Sequence, residues 1–157
     1  MATTPATVAL SALGIRFVEH EYRHDAANTS FGLEAAAVLG VEPDRVFKTL
    51  LADADGDLVV GIVPVSGRLA LKSLAVTVGA RKAVMADPAL AQRRTGYVVG
   101  GISPIGQRTR LVTVLDETAQ LFDTVYVSGG RRGFDLELAP ADLIAATAAI
   151  VAAIARA

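Results

Sequence analysis

The chain contains no cysteine. That absence removes disulfides, thiolate nucleophiles and cysteine-based zinc sites together. It also lacks any apolar run approaching the ~18 residues that a membrane span needs. The Ala-Ile-Val stretch near the C-terminus is interrupted by Thr147 and preceded by Asp142. The opening Met-Ala-Thr-Thr-Pro has neither the basic residues nor the apolar centre of a signal peptide, so a cytoplasmic chain is expected. A formal net charge of −1 excludes a uniformly basic nucleic-acid coat. What remains is local: Arg93-Arg94, Arg108 with Arg110, and Arg131-Arg132. Repeats, linkers and low-complexity blocks are missing as well. With 157 residues, 52% of them hydrophobic, the chain suits one domain over 1–157 with a core of its own.

What is present centres on Val46-Phe47-Lys48-Thr49-Leu50-Leu51, a short run that reads as a strand. Alternation puts Val46, Lys48 and Leu50 on one face and Phe47, Thr49 and Leu51 on the other. An ammonium thus sits between two apolar neighbours. Either Lys48 snorkels at a sheet edge, or it points into a pocket and holds an anionic or carbonyl-bearing ligand.

Around this strand the signals interleave helices and strands. Thr4-Pro5 opens a helix that reaches Leu13 before Gly14, and Phe17–Tyr22 alternates like a half-buried strand. Ser30 is placed to cap a helix ending at Gly40, with Glu34 near its positive end. An Asp-Gly pair between Asp53 and Asp57 predicts a hairpin returning through Leu58–Val65. Leu71–Val78 reads as a helix stopped by Gly79, Ala83–Met85 as a short strand, and Asp87-Pro88 as the start of a helix to about Arg94. Tyr97–Val99 is expected as a strand leading into Gly100-Gly101-Ile102-Ser103-Pro104. Leu111–Leu115, Thr124–Val127 and Phe134–Leu138 read as strands, and Glu117–Leu121 as one helical turn. A final helix from Pro140 carries Leu143, Thr147, Ile150, Val151 and Ile154 along one side. The hairpin signals argue against a purely parallel sheet, so a mixed α/β domain around one curved sheet is expected.

Two glycine loops could carry chemistry. Paired glycines at Gly100-Gly101 let backbone amides approach a ligand, and Ser128–Gly133 has the composition of an anion-holding nest. Taken alone, both read as tight turns in a β-rich domain, and neither fits a Walker loop or a dinucleotide fingerprint. His20 and His24 imply no third ligand, so a metal site is not expected. A triad of Ser128, His24 and Asp135 can be assembled on paper without a nucleophile elbow to support it. Asp135 and Glu137 share a strand face, as an acid/base pair or as the solvated side of an edge strand.

Three strings together resemble the YbaK family, freestanding relatives of the editing domain of bacterial prolyl-tRNA synthetase. They are Arg45–Leu50, Gly96–Gln107 and Val125–Gly133, with Tyr22–Asp25 and Met85–Pro88 falling in the same order. The resemblance implies a mixed α/β fold with a curved, partly barrel-like sheet and surrounding helices. It implies removal of a wrongly attached amino acid from tRNA, cysteine on tRNA(Pro) in this branch, and no cofactor. By motif it makes Lys48 the lysine on which the family depends and places Gly100 and Pro104 in its Gly-x-x-x-Pro loop, with Gly101 beside them. It makes Tyr22, Phe31, Thr49, Ser128, Gly129 and Asp135 pocket residues. The partners implied are aminoacyl-tRNA and, as an assistant in tRNA choice, prolyl-tRNA synthetase, with neither DNA nor membrane. An Ala-tRNA(Pro) deacylase, as in the sister branch, and a non-catalytic module binding an aminoacylated end or a synthetase remain alternatives.

Overall fold

A computed structural model describes residues 3–157. Residues 1 and 2, part of the start read above, lie outside the described residues. Helix α1 (Pro5–Ala12) begins at the expected cap: Thr4 accepts from the Thr7 amide, and the Thr7 hydroxyl answers the Thr4 amide. Strand β1 (Val18–Glu21) follows, then α2 (Phe31–Leu39), which ends at Gly40 in the left-handed region. Ser30 stands at the α2 cap position, but its side chain makes no cap bond. Glu34 turns instead to His24 and the Asp25 amide.

Strands β2 (Phe47–Ala54) and β3 (Asp57–Pro64) form the expected hairpin. Ala54 pairs with Asp57, and Asp55 and Gly56 both have positive φ, as a two-residue type I′ turn requires. The chain continues through β4 (Arg68–Leu69), α3 (Leu71–Val78), β5 (Ala83–Met85) and α4 (Pro88–Thr95), where Asp87 accepts from the Leu90 amide. Then come β6 (Val112–Asp116), β7 (Val125–Arg131), β8 (Phe134–Leu138) and α5 (Pro140–Thr147). Two short strands, β9 (Ile150–Ala152) and β10 (Ala155–Arg156), end the chain.

The fold is the expected mixed α/β type. A five-stranded sheet of order β5-β2-β3-β6-β9 combines antiparallel and parallel pairs. A three-stranded antiparallel sheet, β1-β8-β7, meets it through one parallel bridge between Val46 and Tyr126. The sheets do not close, so the barrel-like part of the expectation reduces to this junction. Alternation on β3 divides the core: Val60 and Ile62 pack with Phe47, Leu51, Leu115, Phe134 and Leu136, while Val59 and Val63 pack with Leu69, Leu74 and Ile154.

Three segments depart from their sequence readings. The final helix stops at Thr147, and Ala148 turns left-handed with φ of 53°. Ile150 and Val151 leave it to pair with the open side of β6, where β-branched side chains fit. Asp116 fixes this exit by accepting from the Ile154 and Ala155 amides, each at 2.9 Å. Tyr97–Val99 is not a strand, because Tyr97 is buried with its hydroxyl donating to Ile105 O at 2.6 Å. Most of Ser128–Gly133 is strand rather than loop: β7 runs on through a bulge to Arg131.

Candidate active site

The β2 strand is where the site is built. It pairs with β3 along its whole length, but on its other side it meets β7 only at the Val46 bridge and β5 only from Ala52 onward. Between those contacts one edge is open. Val46 O accepts from Val65 and Leu51 O from Ala86, which fixes the alternation. The peptide N–H and C=O of Thr49 therefore face the open edge. A cavity of about 450 Å³ lies against it, a size that suits a small organic ligand. The open edge explains why side chains from both faces of β2 line one cavity.

Tyr22, Phe31, Lys48, Thr49, Gly100, Ser128 and Asp135 all line this space. Lys48 and Asp135 are its only charged groups among the described residues. Lys48 is half-buried, and burial followed by the nearby Arg68 guanidinium lowers its pKa. None of the ion pairs among the described residues includes it. An ammonium that is desolvated, repelled by a like charge and unpaired is a ready partner for an anion. Asp135 is buried, and burial pushes its pKa up to about 7. Tyr22 is pushed up to about 12 by burial, with Asp135 and Glu34 adding to it, so its hydroxyl stays protonated near neutrality. The Thr49 hydroxyl is buried without a hydrogen-bond partner. A buried orphan of this kind typically costs about 1–3 kcal/mol until a ligand meets it.

The glycine loops divide. Val98–Gly101 forms a turn closed by Gly101 N–H to Val98 O at 2.8 Å, with Gly100 third in it at φ of +87°. A type II turn places a positive φ there. Gly100 lines the cavity and lies so close to Phe31 that an added Cβ would stand 2.7 Å from its ring. Among the described residues no acceptor meets the Gly100 amide. Gly101 falls outside the cavity: its amide is spent in the turn, and its α-carbon packs against the Arg131 backbone. Pro104 is buried away from the cavity, beside Ser103 and Ile105. Gly129 also lies outside it, at the β7 bulge against Phe134, where its carbonyl accepts from Thr4. The nest read at Ser128–Gly133 is therefore a strand bulge, with only Ser128 reaching the site.

The triad is not assembled. His24 Nδ1 meets Glu34 at 2.6 Å, and the Ser128 hydroxyl accepts from the Gly130 amide. Glu137 is bound by His20, Thr124 and Arg45, so Asp135 and Glu137 form no acid/base pair. Their strand is the middle one of three, not an edge. Among the described residues no group of three or more His, Asp or Glu is placed to hold a metal ion, and no helix is long and apolar enough to cross a membrane.

Two parts of the site were not read from the sequence. One is the open β2 edge, which depends on where β5 and β7 dock. The other is Arg132, which donates to Val99 O from Nε at 2.9 Å and Nη2 at 2.7 Å and stacks on Phe31 at 4.8 Å. One guanidinium thereby fixes both the turn carrying Gly100 and the ring beneath it.

A cavity with one cation, one carboxyl and free backbone donors suits positioning an activated acyl group, a task that needs no strong nucleophile. The chain belongs to the aminoacyl-tRNA editing domain family, whose model matches residues 25–146. It is an aminoacyl-tRNA deacylase of the YbaK type. EbsC of Enterococcus faecalis, provisionally named a Cys-tRNA(Pro)/Cys-tRNA(Cys) deacylase, is 39% identical over 71% of this chain and 69% of its own length. A proline–tRNA ligase of Moorella thermoacetica is 37% identical over 46% of this chain, which spans 13% of the ligase. A solved structure provisionally described as a trans-editing enzyme for prolyl-tRNA synthetase has a TM-score of 0.83 at 27% identity, with all of both chains covered.

The Arg132 contacts carry a first prediction. Arg132→Met is expected to lower deacylation by about 10–10² fold, the scale at which ~1 Å of misplacement acts, with little change in melting temperature. Arg132→Lys should restore little, because a lysine has no planar fork to span the carbonyl and the ring. Full activity in the lysine variant would remove the clamp from the account.

Proposed function

We propose that the protein clears cysteine wrongly attached to tRNA(Pro), acting in trans on the aminoacylated 3′ end in the cytoplasm. The observation that carries this reading is that Lys48, which enters no ion pair among the described residues, and the buried Asp135 line one cavity that has no other charged group among them. Lys48 holds the terminal phosphate or ribose and orients the ester. Asp135, the only carboxyl in the cavity among the described residues, faces the α-ammonium of the aminoacyl group. The Gly100 amide and the Thr49 peptide N–H at the open edge supply hydrogen bonds to the carbonyl oxygen as charge develops there. The Thr49 amide takes the part that the sequence reading gave to Gly101.

The substrate supplies the nucleophile. Its own side-chain sulfur attacks the ester carbonyl, the bond to the ribose oxygen breaks, and the thiol proton passes to that oxygen. The products are a cyclic thioester and free tRNA, with no water consumed. A chain without cysteine and without an assembled triad is suited to this route. Prolyl-tRNA synthetase, which carries a related domain in the Moorella ligase, assists in selecting the tRNA.

Competition between Cys-tRNA(Pro) and Ala-tRNA(Pro) in one incubation tests the reading. The cysteine ester should disappear first and yield the cyclic thioester. A clear preference for alanine would move the chain to the sister specificity. Survival of both esters for as long as in buffer would refute catalysis and leave a binding module.

A further inference from the structure

The three arginine groups of the sequence separate in the fold by what their guanidinium groups touch. Arg131 pairs with Glu21 at 2.8 Å and stacks on Phe134, and Arg132 is engaged by Val99 and Phe31. Arg45 is held by Glu137 and Thr124. Arg93, Arg94, Arg108 and Arg110 differ: none takes part in an ion pair or side-chain hydrogen bond among the described residues. Three of the four are exposed and Arg94 is half-buried.

The fold brings Arg93, Arg94 and Arg108 together, with Arg110 two residues further along the chain. Arg93 and Arg94 occupy the last turn of α4. The segment bearing Arg108 returns along it, with the Arg108 amide donating to Thr95 O at 2.9 Å and the Thr109 amide to Arg94 O at 3.0 Å. The Arg108 side chain lies over Gly96, within 3.5 Å of where a Cβ would stand. The helix that carries the strip also borders the cavity. Pro88 and Ala91 of the same helix line the cavity, and Arg94 is about 4.5 Å further along the axis than Ala91. On a chain with net charge −1, four guanidinium groups that enter no ion pair among the described residues, on the helix that borders the cavity and on the segment returning along it, form a local anion-binding surface.

We propose that this strip, made by the end of α4 and the returning 108–110 segment, is the docking surface for the phosphate backbone of the RNA whose acylated end enters the cavity. It rests on the deacylase reading and adds where the body of the tRNA lies. Backbone contacts of this kind set affinity and register without reading sequence. They act on KM for the whole tRNA and leave the chemistry of the ester alone.

The test compares the full-length protein with a variant carrying Arg→Gln at 93, 94, 108 and 110, on Cys-tRNA(Pro) and on a short cysteinyl-CCA trinucleotide. The proposal expects KM for the tRNA to rise at least tenfold, the slope of log KM against log salt to become shallower by about 2–4, and turnover of the trinucleotide to stay unchanged. Arg→Lys at the same four positions should restore most of the affinity, since the charge acts and not the fork. An unchanged KM for the tRNA, or an equal loss on tRNA and trinucleotide, would overturn the docking surface while the deacylase reading stood. Failure of the unaltered protein on both substrates would sink that reading instead.

Discussion

Lys48→Ala is expected to lower deacylation by at least about 10²-fold, on the scale of losing one preorganised charge-stabilising group. The fold should not suffer. Burial and the Arg68 guanidinium both disfavour the charged form of this amine, and no ion pair among the described residues offsets that. A lysine whose folded pKa is depressed loses favourable solvation on folding, so replacing it removes a cost. Lys48→Met, which keeps the apolar stem, should melt at or above the temperature of the unaltered protein. Activity and stability thus move in opposite directions at one residue, which marks a site that trades stability for function. Thermal melts and single-turnover deacylation on the same preparations check this. Unchanged turnover in both variants would refute the role given to Lys48, and a large loss of melting temperature would make it structural.

The legible parts of this fold were those encoded locally. Thr4, Asp87 and Gly40 are helix punctuation, and Asp55-Gly56 is turn chemistry. Each works through groups a few residues apart, and each stands where the sequence put it. The illegible parts were decided across the chain. Ile150 and Val151 continue an apolar helical stripe on paper, yet β6 offers them an unpaired edge. Gly101, Pro104 and Gly129 share motifs with residues that line the cavity, but each is spent on packing. A motif marks a segment as important without dividing its residues between ligand and scaffold. Arg132 shows the reverse: nothing about an exposed arginine in a turn signals that it grips a carbonyl 33 residues away.

Asp135→Asn is expected to make the protein more stable at pH 8 and nearly unchanged in stability near pH 4. The Asp135 carboxyl is pushed from 3.8 up to about 7 by burial. Between those values the folded state holds a proton that the unfolded chain has released, so stability falls as pH rises through this window and levels off above about 7. At ~1.4 kcal/mol per tenfold change in proton affinity, the gap sets a ceiling of about 4 kcal/mol on the gain from removing the charge at pH 8. The Tyr22 hydroxyl stays protonated across this window, and Ser128, opposite Asp135 on β7, does not titrate there. Glu34 and Glu137, whose pKa values are lowered despite burial by hydrogen bonds and nearby histidines, pull the other way at acid pH. Subtracting the Asn variant from the parent isolates Asp135 from them. Chemical denaturation from pH 4 to 8 on both proteins measures the difference, and a pH-independent offset would mean that the carboxyl is already ionised in the fold. The same substitution should cost about 10²-fold or more in deacylation, because the amide no longer offers the α-ammonium a charge. A positively charged ligand group beside this carboxyl would favour its ionised form, so in the proposed reaction the α-ammonium is expected to bring the Asp135 pKa back down.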